Sequence, residues 1–301
     1  MATVRARWGC PATKSHDPSV GTPTWRSPSL ASPLSLLLVL ALNVVVASCS
    51  GAQRAAQGTF TPKVAGRLVV GTELPAPGFW DGTDPENVQG GFEWALAGAL
   101  AKELGLTLAV RSALFGDITR GALGDADLAL AQVSSTPERR DQVDFSIAYM
   151  TSSPAILTAT GATNVRDLAT AKEQRWVVQA GTTSAEYLSE VVRPNLAPVI
   201  VDDQQGAVQM VLDHVADAAL LDLLPALAVA RNNVGLTVPA RFDREEELAI
   251  VLPKGSANTS AVNQGLRQLM AQGTLDELRQ RWLGPTLAAD PQTVPVIRTA
   301  R

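Results

Sequence analysis

The sequence predicts an α/β protein of two lobes, each a mixed, mostly parallel sheet flanked by helices, and two observations lead there. Short β-branched runs alternate with segments whose apolar residues recur at helical spacing, the pattern of parallel strands joined by crossover helices. That alternation starts afresh near residue 176, so two halves fit better than one continuous sheet. A length of 301 residues is ample for two such cores, and contents of 46% hydrophobic and 18% charged residues exclude a wholly disordered, collagen-like or coiled-coil chain.

The elements follow in order. Arg67–Gly71 (RLVVG) reads as a first strand ending at glycine. In Phe92–Gly105, residues Trp94, Ala97, Leu100, Ala101 and Leu104 fall at helical spacing, and Gly105 stands where a C-terminal cap belongs. Leu106–Val110 and Asp127–Val133 (DLALAQV) follow as strands, separated by a short glycine-containing helical segment. The second half opens with a strand at Trp176–Gln179 (WVVQ), a Gly181-Thr-Thr turn and a helix from about Ser184 to Val192. Pro198–Val201 and Ala218–Leu221 are strands on either side of a helix at Gln204–His214. Ala249–Leu252 is a strand behind the acidic cluster Glu245-Glu246-Glu247, followed by helices at about Ser260–Ala271 and Leu275–Trp282. Residues 49–66 read as a flexible tether, and residues 285–301 as a loose C-terminal tail.

The first residues look like an address. Four basic residues (Arg5, Arg7, Lys14, Arg26) and one acid (Asp17) precede the apolar run Leu34–Ala47. At helical rise that run reaches about 21 Å, short of the roughly 30 Å hydrocarbon core, so it suits a secretory signal better than a membrane span. It ends in Val46-Ala47-Ser48-Cys49, which resembles the lipobox of bacterial lipoproteins. Residues 1–48 are therefore expected to be a signal peptide. Cys49 is expected to carry the lipid (palmitate among the acyl chains) that anchors an exported protein to the outer face of the cell membrane.

Removing 1–48 leaves 21 basic and 28 acidic residues and a net charge of −7, which argues against nucleic acid as a partner. One Cys, Cys49, and one His, His214, then remain. An internal disulfide is excluded, a multi-histidine metal site lacks ligands, and any Cys–His or Ser–His catalytic pair would have to use His214. His214 lies within VQMVLDHVAD and reads as a packing or surface residue. No metal, cofactor or catalytic group is expected.

Six stretches together carry a family resemblance: Val70-Gly-Thr-Glu73, Gly90–Gly105, Thr136-Pro-Glu-Arg139 with Val143-Asp-Phe-Ser146 and Tyr149, Gln179–Ser184, Asp217–Asp222, and Gly273-Thr-Leu through Gly284. In that order and spacing they resemble the extracytoplasmic solute-binding proteins (family 3) of polar amino-acid ABC transporters, over about Arg67 to Gly284. The resemblance implies the type II periplasmic-binding-protein fold. Lobe 1 would comprise 67–150 plus 249–284 and lobe 2 155–246, with hinge crossings near Tyr149–Pro154 and Glu246–Ala249. It also implies a monomer that is not an enzyme, binds an amino acid or similar small solute between its lobes, and delivers it to an ABC permease. The same fold serves two other roles, ligand sensing for a membrane signalling system and dehydratase-like catalysis, in which Glu73 would act as acid or base.

Site residues follow from the matched motifs. Arg139 matches the arginine that grips a ligand carboxylate, which a guanidinium does with two parallel hydrogen bonds. Ser134 and Thr136 follow a strand's carboxyl end, where open parallel sheets bind ligands, although both also suit helix capping. Thr182 and Thr183 sit where a strand meets a helix N-terminus, a natural anion site, and capping is again the alternative. Asp222 matches the acid that pairs with a ligand ammonium, or else caps the next helix; Glu73 would reach the ligand side chain. Ala76 and Pro77 stand where an aromatic residue is usual, so Phe79 or Trp80 is expected to replace it as a stacking platform. Glu93 and Ala95 replace the two aspartates of the helix-start motif, and the segment Phe115–Asp127 is shorter than usual.

Overall fold

The structure, a computed structural model, describes residues 58–162, 165–284 and 287–299. The signal segment 1–48 and the lipidation candidate Cys49 lie outside the described residues.

The first lobe is built on β1 (Arg67–Thr72), paired in parallel with β2 (Thr107–Ser112) on one side and β3 (Leu128–Ala129) on the other. The crossovers are α1 (Phe92–Glu103) and α2 (Phe115–Thr119). After α3 (Pro137–Arg140) the chain enters the long β4 (Val143–Ser152), which pairs with β10 (Glu246–Pro253), itself antiparallel to β3. The sheet order is β2-β1-β3-β10-β4. Alternation along these strands sorts side chains to its two faces: Leu68, Val70, Leu248, Ile250 and Leu252 join one buried cluster, whereas Val69, Ala249 and Val251 join the other. Helices α8 (Thr259–Ala271) and α9 (Thr274–Trp282) pack beside α1. Trp94 and Trp282 meet there edge to face, with centroids 6.1 Å apart.

The second lobe begins at β5 (Pro154–Ala159), continues through α4 (Leu168–Lys172), β6 (Trp176–Gln179) and α5 (Thr183–Tyr187), and extends α5 by a π turn at Leu188–Val192. β7 (Val199–Val201), α6 (Gln204–Leu212), β8 (Ala218–Asp222), α7 (Leu223–Asn232) and β9 (Leu236–Phe242) follow. With β11 (Val296–Ile297) the sheet order is β11-β9-β5-β8-β6-β7. β6, β7 and β8 are mutually parallel and β5 is antiparallel to both β8 and β9, so the two-lobed α/β architecture is built on mixed sheets. β8 reads as an apolar run because helices cover both of its faces.

The chain leaves the first sheet through Ser153 and returns through Asp243–Glu245. The expected return crossing at Glu246–Ala249 is instead part of continuous β10, where Glu246 pairs with Ser152. The crossing strands thus lie side by side.

Two expectations about the chain ends are corrected. Residues 287–299 are not a loose tail: β11 adds to the edge of β9, and Val294 and Ile297 are buried. A two-residue strand carries no period of its own; the free sheet edge and two apolar side chains order it. At the other end, residues 60–66 of the proposed tether are fixed to lobe 1. Phe60 enters the core, Asn258 exchanges two hydrogen bonds with the Thr61 backbone, and the Lys63 ammonium donates to the carbonyls of Gly124 and Ala126 at 3.0 and 2.7 Å.

The start of α1 positions the loop that follows β1. No side chain caps this helix. The N–H groups of Phe92, Glu93 and Trp94 donate instead to the carbonyls of Gly78 (2.8 Å) and Phe79 (3.1 Å each). Gly91 makes this approach possible at a φ of 105°, and a Cβ there would stand 2.2 Å from the Phe79 oxygen. Gly91→Ala is therefore expected to destabilise the protein by about 3 kcal/mol or more, measured as a lower urea midpoint at unchanged slope.

Candidate functional site

The parallel strands set the site. β1 and β3 are parallel in lobe 1, and β6 and β8 are parallel in lobe 2, so the carboxyl ends of each pair lie at one end of their sheet. Glu73 follows β1, Ser134 lies beyond β3, Gln179 and the Gly181-Thr-Thr turn end β6, and Asp222 ends β8. Glu73, Ser134, Gln179, Thr182, Thr183 and Asp222, with Arg139, line one cleft.

Arg139, 8% exposed, is held by the carbonyls of Ser134 and, across the cleft, Gly181, each at 2.9 Å. Its guanidinium lies 5.4 Å from the Phe115 ring centroid. The remaining N–H donors have no acceptor among the described residues. Burial lowers its pKa, against the raising influence of Glu186, Glu246 and Asp222. Asp222 lines the facing wall. Although it stands at the N-cap of α7, its side chain makes no capping bond. Its pKa is pushed up to about 8, first by burial and then by the charge of Glu246, while Arg139 pulls the other way.

Glu73 accepts from the Phe115 amide (3.1 Å) and from Gln179 Nε2 (2.9 and 3.1 Å), which ties the lobes at a second point. Burial raises its pKa. Thr182 caps α5 by accepting from the Ala185 amide, and it also lines the cleft. Thr183 and Ser134 line the cleft as well, from opposite lobes. Both donate to the same oxygen of Glu246, each at 2.6 Å.

Two expected site residues lie elsewhere. Thr136 is not among the cleft-lining residues; its hydroxyl caps α3 by accepting from the Arg139 amide at 3.3 Å, so it helps place the arginine. Phe79 is fully buried in the lobe 1 core, edge to face with Phe92. Its carbonyl is bound by the first turn of α1, and that turns the side chain inward. Trp80 is buried too, with its indole N–H donating to Glu93 and the Leu130 carbonyl. Ala76 lines the cleft at the position without an aromatic, and the ring in the wall is Phe115. The helix expected to reach His214 is shorter: α6 ends at Leu212, and His214 follows in a turn with φ 57°.

Sequence reasoning missed Gln132, Gln179 and Glu246. Gln132 lines the cleft at φ 49° and is fixed by Glu93, which accepts from its amide at 2.9 Å and from its side chain. Glu93 also accepts from Tyr149 and Trp80, so the helix-start acid is a fully buried hub behind the cleft, its pKa raised by burial. Glu93→Leu would leave the Tyr149 hydroxyl and the Gln132 donors without this acceptor, while Trp80 would keep the Leu130 carbonyl. It is expected to cost about 3 kcal/mol or more, read as a lower melting temperature together with weakened ligand binding.

Two α/β lobes with a charged, half-enclosed cleft at the carboxyl ends of their parallel strands define a two-lobed binder of small solutes. The model of the bacterial extracellular solute-binding proteins, family 3, matches residues 68–285, and the chain belongs to that family. It is 29% identical over 224 residues to the arginine-binding extracellular protein ArtP of Bacillus subtilis, covering 72% of this chain and 86% of that one. With the L-cystine-binding protein TcyJ of Escherichia coli it shares 31% identity over 232 residues, covering 74% and 84%. The membrane-bound lytic murein transglycosylase F of Pseudomonas fluorescens is 28% identical, but the match spans only 46% of that protein. Among solved structures, an ancestral arginine-binding protein bound to arginine superposes with a TM-score of 0.66 at 29% identity, over 73% of this chain and 99% of that one.

Proposed function

We propose that this protein binds an amino acid between its lobes and presents it to an ABC permease, from a lipid anchor at Cys49 on the outer face of the cell membrane. The observation that carries the reading is that Arg139, on lobe 1, and Asp222, on lobe 2, line one cleft, a guanidinium on one wall and a carboxyl group on the other. An α-amino acid carries a carboxylate and an ammonium on one carbon, and these two groups complement it. The backbone amides at the start of α5, beside Thr182, would meet the carboxylate, and Glu73 would meet the far end of the side chain beside Phe115. A ligand touching both lobes favours the conformation in which they are together, and a permease can read that conformation.

Acids outnumber bases in the lining: Glu73 and Asp222 face Arg139 alone among the described residues. That excess favours a cationic side chain, and arginine is the ligand named for ArtP and for the ancestral structure. A binding role without turnover is supported by relatives named for the amino acids they bind. Melting curves recorded with each of the twenty amino acids test the reading. At about 100 times its Kd, a ligand adds about 2.7 kcal/mol of stability, so arginine or lysine should raise the melting temperature by several degrees. A panel in which no amino acid shifts the curve would overturn the proposal.

A further inference from the structure

Glu246, like Glu73, bonds to both lobes. It is 6% exposed, stands at the start of β10 beside the crossings, and is not itself in the cleft wall. One of its oxygens takes the hydroxyl hydrogens of Ser134, from lobe 1, and Thr183, from lobe 2, at 2.6 Å each. The other oxygen lies 3.3 Å from Arg244 Nε, and Arg244 rests on the ring of Tyr187 at 5.7 Å. A hydroxyl has a single hydrogen to donate. With both hydrogens turned toward Glu246, Ser134 and Thr183 offer only lone pairs to the cleft.

We infer that Glu246 is a specificity-determining positioning residue, which withholds two hydroxyl donors from the ligand carboxylate and turns those hydroxyls into acceptors for ligand N–H groups. This rests on the amino-acid-binding reading of the cleft and deepens it. The carboxylate is left to Arg139 and to the backbone amides at the start of α5, while Asp222, Glu73 and the two hydroxyl oxygens all attract cationic or N–H groups. Carboxylate selection therefore comes from Arg139 and those amides without help from the two hydroxyls, and the rest of the cleft selects for the cationic parts of the ligand.

The test is calorimetric titration of wild type, Glu246→Ala and Thr183→Val with L-arginine and with L-argininamide. In wild type the preference for arginine over argininamide, set by the charge pair with Arg139, is the reference ratio. In Glu246→Ala the freed hydroxyls can donate to a carboxylate, and a hydrogen bond to a charged group is worth a factor of about ten or more. The preference for arginine over argininamide should rise by about that factor. Glu246→Gln keeps an acceptor oxygen and should fall between. Thr183→Val, which leaves Glu246 in place, should weaken both probes alike. An unchanged ratio in Glu246→Ala, or a loss confined to arginine in Thr183→Val, overturns the inference while both probes still bind. Binding of neither probe to wild type overturns the inference together with the reading beneath it.

Discussion

Replacing Arg139 by alanine is expected to weaken binding of the preferred amino acid by about 100-fold or more. The guanidinium is almost fully buried, fixed by two carbonyls and propped against Phe115, so it is oriented before a ligand arrives. A preoriented fork loses little freedom when a carboxylate docks, and truncating one partner of a buried charge pair costs about 2–5 kcal/mol. Arg139→Lys keeps the charge but loses the fork and the stacked plane, and should recover only part of the affinity. Stability should respond far less than binding, because the lowered pKa marks the burial of this charge as unfavourable to the fold. Calorimetric titration and melting curves on the same samples separate the two effects.

The second large effect is expected at Asp222, and it depends on pH. A carboxyl whose pKa is raised from 3.8 to about 8 on folding keeps a proton that the unfolded chain has lost between those values. The folded state binds more protons there, so this group makes stability fall as pH rises from about 4 to about 8. Asp222→Asn removes that slope, and the variant should be more stable than wild type at pH 8. Binding runs the opposite way. An ammonium needs the carboxylate form, so docking expels the proton, and wild-type affinity should strengthen with pH by up to about tenfold per unit until about pH 8. In Asp222→Asn affinity should be about 100-fold weaker and nearly flat with pH. Titrations in buffers of different ionisation enthalpy count the released proton.

How much of this was legible in sequence depends on where each signal lies. The buried parallel strands β6 and β8 were readable as short apolar runs, and α1 from its helical spacing. Helix α7 was missed because LLPALAVARN is apolar on most faces and carries Pro225, which a first turn tolerates but which interrupts a pattern. β11 was missed because its order comes from the β9 edge. At the site, Arg139, Asp222, Thr182, Thr183, Ser134 and Glu73 do line the cleft. Phe79 was misplaced for want of its backbone: the α1 N-terminus takes its carbonyl and leaves the ring no route to the cleft. Glu246 was legible in part. Glu245 and Glu247 are exposed while Glu246 and Leu248 are buried, and that alternation at the start of β10 places the middle acid of the cluster inward. Its two hydroxyl partners could not be read, because they come from segments more than 60 residues away.

The most direct measurement is a crystal structure of the protein grown with L-arginine. The expected result is an arginine whose carboxylate meets Arg139, with its ammonium within about 3 Å of Asp222 and its guanidinium toward Glu73. Arginine bound outside the cleft, or lying within it with its carboxylate away from Arg139, would contradict the role of this charge pair.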